Sequence, residues 1–199
     1  MFGPNALNII KSLRYGRVPN PKTGVRQDFD IPIGAWRLGT LATITTATEP
    51  LYAATLTNYR VISYTAAGAA ANNIAYSGTV PRDFVSTATK YLKLRIAARK
   101  VDATDENPDL GLTCNLFWMT PTSTSLLSLT TPASSGVLAA STDGTTANFA
   151  WYTFDLGARL VAESKKLLPG DLFRLSVAPD DTVGTTDMTL QIAGTHLVW

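Results

Sequence analysis

The sequence predicts an all-β protein: a two-sheet antiparallel β-sandwich, jelly-roll-like, with an extended N-terminal arm. Three observations lead there. Among 199 residues there are 28 Thr against 3 Glu and 7 Lys, a bias toward β-branched strand formers and away from helix formers. Short runs alternate apolar and polar residues with a period of two, and turn residues separate them. The loops between many of these runs are roughly 8–15 residues long, which suits crossing between two sheets better than a tight meander. Length sets one domain as the starting expectation, and 45 % apolar with 16 % charged residues gives a real core beneath a neutral surface.

The chain opens on a basic segment. Lys11, Arg14, Arg17, Lys22 and Arg26 fall within residues 1–27 with no acid among them, a charge of +5. Pro19, Pro21 and Pro32, with Gly16 and Gly24, interrupt any sustained period from Lys11 to Pro32. Residues 1–36 are therefore read as an extended arm ahead of a sandwich domain spanning 37–199. A helical turn over Asn5–Leu13, capped by Asn5, is the regular element its pattern allows. An arm of this kind becomes ordered only against a partner surface.

Strands follow. Leu92, Leu94, Ile96 and Ala98 alternate with Lys93, Arg95, Ala97 and Arg99, predicting one buried face and one wet, basic face. Leu112–Trp118, Ala150–Leu156, Phe173–Val177 and Met188–Ile192 repeat the alternation, with weaker strands at Gly39–Ala47, Tyr59–Thr65 and Thr195–Trp199. Turns are expected at Asn107-Pro108, Asp143-Gly144, Pro169-Gly170-Asp171 and Asp180-Asp181. Helix is minor: Val161–Leu168 is read as about two turns ending at Pro169. The Ala/Ser/Thr-rich stretches Thr65–Ala71 and Ser123–Ser141 read as long loops or weak edge strands, and residues 48–90 receive little further assignment.

The overall charge of +2 conceals an asymmetry: residues 101–199 carry −7 and residues 28–100 carry +4. Cys114, the single cysteine, cannot form an internal disulfide or a Cys-based zinc site. No signal peptide is expected, because the apolar stretch at Ala6–Ile10 is short and no base precedes it. No apolar run reaches the roughly 18 residues of a membrane span, so synthesis in a cytoplasm is the expectation.

Little in the sequence suggests a reaction. His196 is the lone histidine, which argues against multi-His metal centres, and it is read as structural or surface. Neither G-x-S-x-G, a P-loop nor G-x-G-x-x-G occurs, so no catalytic residue and no cofactor is assigned. Asp102, Asp105, Glu106 and Asp109 crowd one loop but lack EF-hand spacing. They are read as a solvated acidic loop rather than a metal site, and Asp180, Asp181 and Asp187 likewise. Trp36, Trp118, Trp151 and Trp199 could stack on sugar rings, although strand alternation favours burial in the core or in a subunit contact. Trp199, ending the last strand, must pack on the body or on a neighbouring subunit. Five bases on the arm would support weak phosphate binding. With only Tyr15 to stack and an acidic body behind it, the arm fits a protein surface better than nucleic acid.

The run Leu167-Leu-Pro-Gly-Asp-Leu-Phe-Arg-Leu-Ser-Val-Ala-Pro-Asp180 followed by Thr189–Trp199 resembles the virion structural proteins of tailed bacteriophages, in particular jelly-roll cement or decoration proteins. The likeness covers Tyr91–Trp199 and is one of style rather than of a diagnostic motif. It implies a non-enzymatic homotrimer at the capsid surface of a virion, with an arm gripping the major capsid protein. Lys11, Arg14, Tyr15, Arg17, Lys22 and Arg26 would be the arm's contact residues and Trp199 a subunit contact. No small-molecule substrate and no membrane enter this picture. A head-fibre base, tail component or capsid subunit fits the same features, and a carbohydrate-binding sandwich using Trp and Tyr platforms is the alternative from another class.

Overall fold

The computed structural model describes residues 28–39, 42–47, 59–65, 73–82, 84, 90–101, 111–138, 149–180 and 189–199. Within them the strands are β1 (Asp28–Asp30), β2 (Ala42–Ala47), β3 (Tyr59–Thr65), β4 (Ile74–Thr79), β5 (Lys93–Val101), β6 (Gly111–Met119), β7 (Leu127–Ser128), β8 (Ala133–Val137), β9 (Ala150–Phe154), β10 (Leu172–Asp180) and β11 (Thr189–Val198). One helix, α1, covers Leu156–Ala162. The first sheet runs β2-β3-β11-β5-β9, with β1 also on β11; the second runs β4-β10-β6-β7, with β8 also on β6. Every pairing is antiparallel. This is the two-sheet β-sandwich that the alternation predicts.

The core is made by residues the period of two sends inward. Leu94, Ile96 and Ala98 of β5 face Leu112, Cys114, Leu116 and Trp118 of β6 and Leu175 and Val177 of β10, all at 2 % exposure or less. Burying each Leu, Ile or Val side chain stabilises the fold by roughly 1.5–3 kcal/mol relative to exposure. The basic face of β5 departs from expectation at one end. Arg99 is buried, its guanidinium lying over the Phe149 ring and its Nε donating to Oε1 of Gln191 at 2.9 Å.

Four further differences have local causes. Residues 28–36, read as part of the arm, are packed on the body: β1 pairs with β11, and Ile31 and Trp36 are buried. β4 went unassigned because its inward residues are Ile74, Tyr76 and Gly78, so the apolar beat stops at a glycine. A β-carbon on Gly78 would stand 3.0 Å from the Phe173 ring, a tight contact. The helix lies earlier than Val161–Leu168, because the Asp155 carboxylate caps it by accepting from the Ala158 N–H at 2.8 Å. Ser164, at φ 55°, then turns the chain away. The strands read at Met188–Ile192 and Thr195–Trp199 are joined in the single strand β11 (Thr189–Val198), with an irregularity between Ile192 and Gly194.

The edge strands β7 and β8 fall in the Ser123–Ser141 stretch read as loop or weak edge strand. At Pro169-Gly170-Asp171 the expected turn forms with Gly170 at φ 87°. The Asp171 carboxylate is buried there, accepting from the Leu168 N–H at 2.8 Å and the Thr120 hydroxyl at 3.0 Å. The Asn5–Leu13 turn, the arm residues Lys11, Arg14, Tyr15, Arg17, Lys22 and Arg26, the Asp102–Asp109 loop and the turns at Asn107-Pro108 and Asp143-Gly144 lie outside the described residues, as do Asp181 and Asp187.

Candidate functional site

Three of the four tryptophans are buried: Trp36 at 4 %, Trp118 at 2 % and Trp199 at 7 % exposure, against 48 % for Trp151. Trp199 packs on the body, its ring set edge-on 6.1 Å from that of Phe84 at a small apolar cavity also lined by Leu92, Leu116 and Leu197. Trp151 is different because of strand parity. Ala150, Tyr152 and Phe154 lie on the other face of β9, which puts Trp151 and Thr153 on the outer face of the six-stranded sheet.

Register then assembles a site around it. One cross-strand row reads Thr153, Arg95, His196, Asp30 over β9, β5, β11 and β1. The next row reads Trp151, Ala97, Gly194. The indole crosses β5 and reaches β11, so that its Cη2 lies 3.4 Å from where a β-carbon on Gly194 would stand. Ala97, on the strand between, is 7 % exposed. Two minimal residues thus form a bed on which a large ring lies low across the sheet, with about half of its surface open.

Polar groups border that ring. The Arg95 guanidinium lies over the indole, 5.1 Å from its centroid, a cation–π contact. The His196 ring centroid is 4.7 Å away at 49°. Nδ1 of His196 pairs with Oδ1 of Asp30, which orients the imidazole. Lys93 continues the face along β5 and pairs with Asp155 at 3.4 Å. A half-open aromatic ring with directional donors and acceptors over and beside it can bind a ring that is apolar on its flat side and polar at its edge.

The sequence names Trp151, Arg95 and His196 separately but does not bring them together, and Asp30 is missed altogether because it falls in the segment read as arm. Parity was the available signal for the first three: each lies opposite an inward-pointing series in its own strand. Among the described residues no group of three or more His, Cys, Asp or Glu converges as a metal site. No helix among them is long and apolar enough to cross a membrane. Cys114 is buried, and burial pushes its thiol pKa well up.

No family model matches the sequence, and neither does any curated protein. Among solved structures, the enzymatically active domain of tailspike protein 4 from bacteriophage CBA120 aligns at 11 % identity and a TM-score of 0.43, covering 84 % of this chain and 20 % of that one. A carbohydrate-binding module of the β-sandwich superfamily aligns at 13 % identity and 0.41, over 81 % of this chain and 56 % of that one. A structure of the infectious bursal disease virus Gt strain aligns at 13 % identity and 0.29, over 91 % and 40 %. The chain therefore spans a fifth of the tailspike chain and just over half of the carbohydrate-binding one. The structural neighbours thus include phage tailspike, carbohydrate-binding and viral particle proteins, all at low identity.

Proposed function

We propose that this chain is a non-catalytic binding protein whose six-stranded sheet holds a saccharide against Trp151. The observation that carries this is the half-open indole, reaching over Ala97 and Gly194, with the Arg95 guanidinium over its ring and the His196–Asp30 pair beside it. The face of a pyranose is apolar enough to stack on an indole, while its hydroxyls take hydrogen bonds in the sheet plane, where these side chains stand. Affinity electrophoresis in gels containing different polysaccharides tests it. Retardation by at least one polysaccharide, lost in Trp151→Ala but kept in a variant of exposed Val161, is expected. No retardation across a broad panel, or equal retardation of the Trp151 variant, contradicts it.

A second reading rests on the arm. Five bases and no acid in residues 1–27, together with the resemblance of Tyr91–Trp199 to phage cement proteins, favour a capsid-surface protein. It would form a homotrimer and be anchored to the major capsid protein through Lys11, Arg14, Tyr15, Arg17, Lys22 and Arg26. Trimerisation would multiply weak arm contacts through effective concentration. Removing residues 1–27 should leave a folded protein that no longer binds capsids; undiminished binding would refute the arm's role. The two readings use different parts of the chain, so a capsid-borne protein presenting Trp151 outward satisfies both.

A further inference from the structure

We infer that the saccharide is acidic, with a carboxylate that binds Arg95 while its ring stacks on Trp151; this rests on the reading of Trp151 as a sugar platform. Arg95 stands apart from the other basic side chains of this face. Lys93 is paired with Asp155, Arg99 donates to Gln191, and His196 holds Asp30. Among the described residues no carboxylate pairs with Arg95, a partly buried residue whose guanidinium lies over the indole. An arginine fork next to a stacking surface matches the planar, bidentate geometry of a carboxylate, which lysine does not. The contact with the ring limits the fork's freedom before any ligand arrives, so less entropy is lost on binding.

The site is also polarised. In the row Thr153, Arg95, His196, Asp30 the one acid lies two strands from Arg95, about 10 Å at ordinary strand spacing. Asp155, further along this face, has its charge held by Lys93 at 3.4 Å, so an anionic group at Arg95 faces no uncompensated carboxylate in its own row nearer than Asp30. Sugar hydroxyls meet His196, whose Nδ1 is committed to Asp30. A neutral sugar would leave the Arg95 fork unmatched.

Isothermal titration with matched oligosaccharide pairs separates the possibilities. Galacturonate trimers against galactose trimers, and glucuronate against glucose oligomers, differ only by a C6 carboxylate in place of a hydroxymethyl group. The wild type should bind the carboxylated member of at least one pair about 10-fold more tightly or better, as a charge-assisted fork implies, and the preference should shrink in 0.5 M salt. Arg95→Gln should abolish the preference, Arg95→Lys should restore part of it, and Trp151→Ala should lose both ligands. Equal or tighter binding of the neutral members, or a preference that survives in Arg95→Gln, overturns the acidic assignment while leaving the platform standing. Failure of the wild type to bind any member, with a neutral polysaccharide still retarding it in the gels, overturns the acidic assignment alone; failure in both removes the platform as well. Should Arg95→Gln misfold, Arg95→Lys and the salt dependence decide the same question.

Discussion

The Trp36 indole donates a 3.1 Å hydrogen bond to the hydroxyl of Thr195, which in turn donates 2.7 Å to the Ile31 carbonyl. The Ile31 N–H completes the loop by donating to the Thr195 carbonyl at 3.0 Å. One buried threonine in the last strand thereby fastens residues 31–36 to the sheet and, with them, β1 and Asp30. Thr195→Val keeps the shape and removes the hydroxyl, leaving a buried N–H and a carbonyl short of partners. Urea unfolding should show a loss of about 1–3 kcal/mol, with Thr195→Ser much closer to wild type.

Gly194 carries a prediction that stability alone would not expose. Its absent side chain lets the Trp151 indole reach over β11, and a β-carbon there would meet the ring at ordinary contact distance. Gly194→Ala should therefore bind saccharide nearly as well as wild type. Gly194→Val adds methyl groups under the ring and should cost about tenfold in affinity, the equivalent of roughly 1.4 kcal/mol, with a thermal midpoint within a few degrees of wild type. Titration calorimetry beside a melting curve checks both halves.

Much of the sandwich was legible because burial on one face writes a period of two into the chain, as at Leu92–Ala98 and Leu112–Trp118. Reading stopped where a residue serves a contact instead of a pattern. Gly78 breaks the beat of β4 to admit the Phe173 ring. Tyr76, beside it, packs among Phe29, Trp36 and Phe173 at 5.9–6.4 Å, so an aromatic cluster joins distant segments that no local spacing announces. The site was legible residue by residue but not as a site. Trp151, Arg95 and His196 become neighbours only through the register of β9, β5 and β11, and pairing partners so far apart in sequence leave no local trace.

The Glu163 carboxylate accepts from the N–H groups of Thr130 and Thr131, and Lys165 Nζ donates to it at 2.6 Å. Lys165 also donates to the Ser128 carbonyl at 2.8 Å, so the segment between β7 and β8 is held to the end of α1. Those donors, the Lys165 ammonium first, lower the Glu163 pKa from 4.5 to about 2. The ionised form is favoured in the folded state, so its stabilisation is complete above about pH 4.5 and drains away as pH falls toward 2. The melting-temperature gap between wild type and Glu163→Gln should accordingly be largest near neutrality and close on acidification. A gap that stays constant down to pH 2 would contradict this.

Cys114 faces the core between the sheets and its thiol is held protonated by burial. Under native conditions the protein should react with a thiol-specific disulfide reagent only at the rate of unfolding, then stoichiometrically in urea. Fast native labelling would mean that the β6 face of the core is open.

The central claim is that the outer face of the six-stranded sheet binds a sugar through Trp151, and intrinsic fluorescence reads it directly because the other three tryptophans are buried. Titrating the saccharide identified by electrophoresis should quench and shift the emission saturably, by an amount attributable to one indole. The same titration of Trp151→Ala should be flat. A wild-type signal that does not change on titration, or a change that persists in the variant, would contradict the account.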